Sequence, residues 1–344
     1  MIDKCISRKL ALMSFVAAVL VVCIHVPVTR EYGFSMWFED FIGSKTASTA
    51  VPFFFAASGY LLANRMNFQG GGYFAQLKRR VATLLIPYLI WCFMLGLQGN
   101  VNPFLSNIVN HYPLMRHVDL NPLHIFGLDM LRNPPLPLWF LRALMLYVIM
   151  SPVLLWVAKR RCVLIVFIVA LVSFNCTKHM YVSAEYSTLF AFTLAPVNIL
   201  AYIIGLRFGC KPVGISKCVG TFLLCAGLTL FLVLSIFKIS QIFVPQAAGS
   251  LTSLVAIAFT LAGAWGVCPA VELPKVLRRQ SFPIYLCHAI FVPYVLLTAQ
   301  KFPCVLGWIG FGVNSVILLT ASLILSHALH KYFPRFSSVI FGGR

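Results

Sequence analysis

Apolar residues along this chain gather into runs of roughly 20, the length that carries a helix across the hydrocarbon core of a bilayer. The runs lie near 10–28, 47–65, 81–98, 138–157, 161–177, 187–207, 215–237, 247–267, 281–300 and 305–329, and they predict about ten membrane-spanning helices. The breaks between them are short and mostly basic. The third run opens at Val81, behind Lys78, Arg79 and Arg80. The fourth opens at Leu138, behind Pro134-Pro135-Leu136-Pro137, and the eighth, with Gly263 and Gly266, is only moderately apolar. The longest connection, 99–137, carries His111, His117 and His124. A loop of that length reads equally as a functional segment or as a cap over the bundle.

Composition agrees with lipid as the solvent. The chain is 60% hydrophobic and 10% charged, with a mean hydropathy of +0.90. Eight acidic residues in 344 leave too little polar surface to cover a water-soluble body. The fold class expected is all-α, a polytopic membrane protein forming one domain over 1–344. Lys4, Arg8 and Lys9 precede the first run as they would in a signal peptide. No small-x-small cleavage site follows Val26, so the first helix reads as a retained anchor.

Charge fixes the expected orientation. With the N-terminus inside, nineteen of the twenty-seven basic residues fall on inner connections and seven on outer ones, with Arg142 left inside a helix. Six of the eight acids fall outside. This is the positive-inside pattern, and it places both termini in the cytoplasm. The formal charge of +19 is therefore spread over loops rather than gathered on a soluble face, which argues against a nucleic-acid partner. The eleven cysteines, including Cys23, Cys92, Cys225 and Cys287, mostly sit inside apolar runs and form no C-x-x-C pair. They read as small apolar residues, with no metal site or disulfide framework.

Ionisable groups within the membrane are costly and usually face a cavity or a partner. His25 closes the stretch Val21-Val22-Cys23-Ile24-His25, Arg142 follows Trp139-Phe140-Leu141, and His288 closes Phe282-Pro283-Ile284-Tyr285-Leu286-Cys287. At about 1.5 Å per residue, His25 lies about 22 Å above the inner end of its run and His288 about 10 Å above its own. Arg142 lies about one turn below the outer end of the fourth run. His25 and Arg142 are thus expected to meet toward the outer side, with His288 lining a path from the cytoplasm. A histidine can take a proton from an attacking hydroxyl, and an arginine can hold an anion or developing negative charge. The plainer alternatives are a core histidine bonded to a backbone carbonyl and an arginine snorkelling to headgroups.

In the second run, Ser58-Gly59 either lets another helix approach closely or puts a serine on a tunnel wall. Lys78, Arg79 and Arg80 either set topology and meet anionic lipid or hold the phosphates of a cytoplasmic cofactor. Pro87-Tyr88 marks a bend, and Trp139-Phe140 an aromatic boundary.

Five blocks, in order, resemble acyltransferase family 3, whose members acylate envelope carbohydrates. They are Ala18–His25, Val51–Leu62, Lys78–Trp91, Leu138–Pro152 and Ser281–His288. The resemblance implies a ten-helix core in a bacterial inner membrane and a cytoplasmic acyl-coenzyme A donor, acetyl-CoA above all. It implies an envelope carbohydrate or lipid-linked glycan as acceptor. It makes His25 the catalytic histidine and matches Arg142 and His288 to the family's fourth-helix arginine and late histidine. The sequence departs from the family at Ser14 and Thr83, where basic residues are common, and resembles members without an extra soluble domain. On residues alone two other activities stay open. A transporter or flippase would also use intramembrane His and Arg. The unrelated membrane-bound O-acyltransferase fold would make His288 the essential histidine.

Overall fold

A computed structural model describes residues 3–27, 33–68, 72–101, 137–181, 195–301 and 307–343. Every element among the described residues is a helix. α1 spans Lys4–Ile24. A long second rod runs from α2 (Phe34–Glu39) through a π-helical stretch at Asp40–Thr46 and a 3-10 turn at Ala47–Thr49 into α3 (Ala50–Phe68). A third joins α4 (Tyr73–Arg80) through a second π stretch, Val81–Leu85, to α5 (Ile86–Val101). There follow α6 (Trp139–Ile149), α7 (Ser151–Lys159), α8 (Arg161–Tyr181), α9 (Pro196–Cys210), α10 (Lys217–Ile239) and α11 (Gln246–Val267). The chain continues as α12 (Ser281–Lys301), α13 (Trp308–Tyr332) and the short α14 (Pro334–Ile340).

The described part of each of the ten expected segments overlies a helix. Six described helices are long and apolar enough to cross a membrane, seven if α6 and α7 count as one broken span. Arg161–Thr177 and Pro196–Cys210 are apolar but shorter. α6 and α7 meet at 68°. Pro152 explains the break, because it has no N–H to donate and its ring displaces the preceding turn. Pro152, Pro196 and Pro334 sit in first turns, where their missing donor costs little. Large apolar side chains face outward on several helices, among them Val166 of α8, Phe222 of α10 and Ile324 of α13. In water that surface would be costly, but against acyl chains it is the expected outer face of the bundle.

α3 packs along α9, α10 along α11, and α12 along α13, with α1 lodged between α3 and α12. The α3–α9 contact is closed by small residues. A Cβ on Gly205 would lie 1.9 Å from the Ala56 carbonyl oxygen, and one on Gly59 would lie 2.3 Å from that of Tyr202. Backbones this close give the van der Waals contact that holds helices together where no hydrophobic driving force acts.

α14 folds back into the bundle and forms a hook. Trp91 Nε1 of α5 donates to the Ile340 carbonyl at 3.1 Å. Phe341 is fully buried and stacks on His330, with ring centroids 5.2 Å apart. Gly342 and Gly343 follow with φ of 62° and 73°. Their N–H groups return to the carbonyls of Val339 and Ser338, a glycine-ended helix stop. The connection holding His111, His117 and His124 lies outside the described residues. All described cysteines are free thiols.

Candidate functional site

One cavity of about 300 Å³ draws together residues from α1, α3, α4, α6, α12 and the hook. Arg65, Arg79 and Arg80 stand at it, joined by Ser14, Ser58 and Thr83. Phe140 and Tyr285 also line it, as do Gly342 and Gly343. Among the described residues that line it there is no carboxylate. Lys78, on the same short helix, is exposed and is not among those lining residues.

The three guanidiniums repel one another. Burial pushes the Arg80 side chain below its usual range; Tyr202 offsets this in part, while Arg65 and Arg79 push the same way as burial. Arg80 Nε is buried and unpaired among the described residues. A buried donor left unmet is costly, while the Arg80 side chain lines the cavity, where an anion would meet its charge. Thr83 returns its hydroxyl to the Arg79 carbonyl at 3.1 Å within the second π stretch. Such insertions weaken a helix and recur at functional sites.

Ser58 and Gly59 divide the two roles open for them. Gly59 turns to α9, and Ser58, about 100° further round the helix, faces the cavity. Tyr285 carries the cavity wall toward the histidines. Its hydroxyl donates to the Pro137 carbonyl at 2.7 Å, and its ring lies 6.2 Å from that of His288. The His288 and His25 ring centroids are 5.1 Å apart. His288 is fully buried, and its Nδ1 lies 3.1 Å from the Ile284 carbonyl. That contact fixes the proton on Nδ1, because a carbonyl can only accept. Nε2 then keeps its lone pair, buried and without a hydrogen-bond partner among the described residues.

This corrects the expected separation of the two histidines. The first residue of an apolar run need not lie at the membrane surface. α12 does not begin there. Arg8 pairs with Glu272 at 3.5 Å, and the Cys268 thiol approaches the Lys9 carbonyl, so the chain after α11 starts beside the base of α1. The stretch from Cys268 to Gln280 then climbs, and Ser281 opens α12 on the same cavity as Ser14. Seven residues above Ser281 and eleven above Ser14, His288 and His25 arrive side by side. His25 itself caps α1, one residue past its last turn.

Arg142 is buried in α6, with Tyr88 and Cys92 of α5 as its titratable neighbours. Sequence reasoning missed Arg65, Tyr285 and the glycine hook as cavity residues. Arg65 was visible as a lone basic residue ending an apolar run, but the seven-residue α14 carries no periodic signal that predicts a fold back into the core.

A family model described as an acyltransferase domain matches residues 9–329. The chain is also 29% identical over 177 residues to the succinoglycan biosynthesis protein ExoH of Rhizobium meliloti (strain 1021). That alignment covers 46% of this chain and 45% of the relative, so the match takes in less than half of the relative's length. No solved structure matches the chain.

Proposed function

The chain belongs to acyltransferase family 3, and from that premise we propose that it moves an acetyl group from cytoplasmic acetyl-coenzyme A to a hydroxyl of a cell-envelope carbohydrate. The observation that carries this reading is the continuous line from Arg79 and Arg80, along the cavity wall to Tyr285, and on to His288 and His25. The arginines hold the phosphates of the donor, with Lys78 adding positive charge at the mouth. The pantetheine arm passes Ser58 and brings the thioester to the histidine pair.

There the acceptor oxygen attacks the thioester carbonyl carbon while His25 removes the hydroxyl proton. Collapse of the tetrahedral intermediate breaks the carbon–sulfur bond. His25 returns the proton to the leaving sulfur, and coenzyme A departs as its free thiol. His288 places a neutral acceptor nitrogen beside the His25 ring. Arg142 positions an anionic group of the acceptor or stabilises the developing oxyanion. The bundle crosses a bacterial inner membrane ten times with both ends cytoplasmic, so that the acyl group passes from one side to the other.

The test is acetyl transfer from labelled acetyl-coenzyme A by the purified protein, with glycan mass spectrometry from cells with and without it. Loss of one acetyl mass from an envelope glycan, and loss of transfer in His25→Ala, are the expected results. Normal transfer by His25→Ala would rule out the assignment. A second reading, a transporter or flippase, draws on the broken α6–α7 pair with its buried Arg142, a form found in transporters. Substrate movement in liposomes without release of coenzyme A thiol would favour it.

A further inference from the structure

A second cavity, of about 540 Å³, lies where α8 and α10 end and α11 begins. α8 and α10 start at the basic residues Arg161 and Lys217, so the cavity lies toward the opposite face from those clusters. Two ammonium groups line it, Lys45 and Lys238. Lys238 is paired with Asp40, whose other carboxylate oxygen accepts the Ser235 hydroxyl at 2.8 Å. Asp40 is buried and its charge is matched by Lys238. Lys45 forms no ion pair with a described carboxylate. Among the described residues the cavity therefore keeps one uncompensated positive charge.

The remaining wall has two characters. Asn175, Ser250 and Ser253 offer an amide and two hydroxyls, while Leu254 and Ile257 are apolar. Asp40 and Lys45 both belong to the first π stretch, so one local conformation carries both Lys45 and the carboxylate that neutralises Lys238. The same stretch packs against α1. A Cβ on Gly43 would lie 2.8 Å from the Phe311 ring and 3.4 Å from the Cys23 carbonyl, two residues before His25. The π stretch that gives Lys45 to the cavity thus also packs on the end of α1 that His25 caps.

We propose that this cavity binds a phosphate carried on an apolar tail, the prenyl phosphate that bears the acceptor glycan. Lys45 pairs with the phosphate, the amide and serines meet its oxygens or the first sugar, and Leu254 and Ile257 receive the tail. The role as acceptor site rests on the acyl-transfer reading; the binding itself does not. A bulk anionic phospholipid shares the same chemistry, and the experiment separates the two sources.

Purified full-length protein in phosphatidylcholine nanodiscs is titrated with farnesyl phosphate, with short-chain phosphatidylglycerol and with inorganic phosphate. The expected result is saturable binding of farnesyl phosphate, weakened at least about tenfold in Lys45→Gln and largely kept in Lys45→Arg, as a charge-assisted contact requires. Arg80→Ala leaves this binding unchanged. Equal affinity in wild type and Lys45→Gln would overturn the proposal. So would phosphatidylglycerol binding as tightly, with the same dependence on Lys45, because the site would then hold bulk lipid. Competition by inorganic phosphate at matching affinity would remove any part for the tail and overturn it as well. No step in this titration uses acyl transfer, so a protein that binds farnesyl phosphate yet transfers no acetyl group refutes only the acyl-transfer reading.

Discussion

In the proposed orientation, the inner cavity gathers three arginines around about 300 Å³ with no carboxylate among its described lining residues, whereas at the outer cavity one of two lysines is held by a buried aspartate. Both are bordered by a π-helical stretch, Val81–Leu85 inside and Asp40–Thr46 outside. In both cases a long rod leaves regular α-helical geometry where it reaches a cavity. The different charge matches each cavity to the ligand proposed for it. Three guanidiniums with no carboxylate among the described lining residues suit a ligand with several phosphates. One net ammonium among hydroxyls and an amide suits a ligand with a single charged group and much neutral polar surface.

The largest effect is expected between the two cavities. His25→Ala should lower kcat by about 10²- to 10⁴-fold, the range for removing a general base. Neither the donor KM nor farnesyl phosphate binding should move by more than about twofold if the two ends bind independently of the chemistry. Release of coenzyme A thiol in the presence of acceptor measures the first. A change in KM with kcat intact would place His25 in binding and break the division into two sites and a reaction centre.

The next effect separates the ends. Arg80→Ala should raise the KM for acetyl-coenzyme A by about 10- to 100-fold, the loss of one charge-assisted contact to a phosphate. The outer cavity should not notice. Gly342→Ala tests the inner wall from its other side. A Cβ there would lie 2.4 Å from the Thr83 carbonyl oxygen, at a φ of 62° that favours glycine. About 1–3 kcal/mol of strain is expected, read as a lower thermal midpoint. A weaker donor KM should accompany it, because the hook forms part of the cavity wall. An unchanged midpoint would mean that the hook is not held as described.

How far the sequence anticipated these two ends depends on what kind of signal each residue leaves. The apolar runs fell on helices because a membrane segment writes its length directly into composition. His25 and Arg142 stood out because a charge-bearing group in an apolar run is rare and costly. The pairing of His25 with His288 was not legible. It depends on the climb of Cys268–Gln280, which a sequence cannot distinguish from a surface loop. Among the described residues six helices, or seven with the broken α6–α7 pair, are long and apolar enough to cross by themselves; α8 and α9 are shorter in their described parts, and the third run is divided between a π stretch and the 16-residue α5. The hook was invisible as well, since Trp91 and Ile340 are 249 residues apart in the chain. Ser58 was legible as a choice between two roles, and the 100° step of the helix gave one role to each neighbour.

The smallest effect asks whether the two cavities are distinct at the level of single hydroxyls. Ser58 lines the inner one and Ser253 the outer one, and the same substitution can be made in both. A hydrogen bond from a neutral hydroxyl contributes about 0.5–1.5 kcal/mol, so loss of one changes affinity by roughly 2- to 10-fold. Ser58→Ala should therefore raise the donor KM within that range and leave farnesyl phosphate binding alone. Ser253→Ala should do the reverse. The pair is informative because both changes remove one oxygen and neither adds volume, so altered packing does not mimic the result. If both variants weakened both ligands, the cavities would be two mouths of one connected site, and the separation of donor from acceptor by charge would fail.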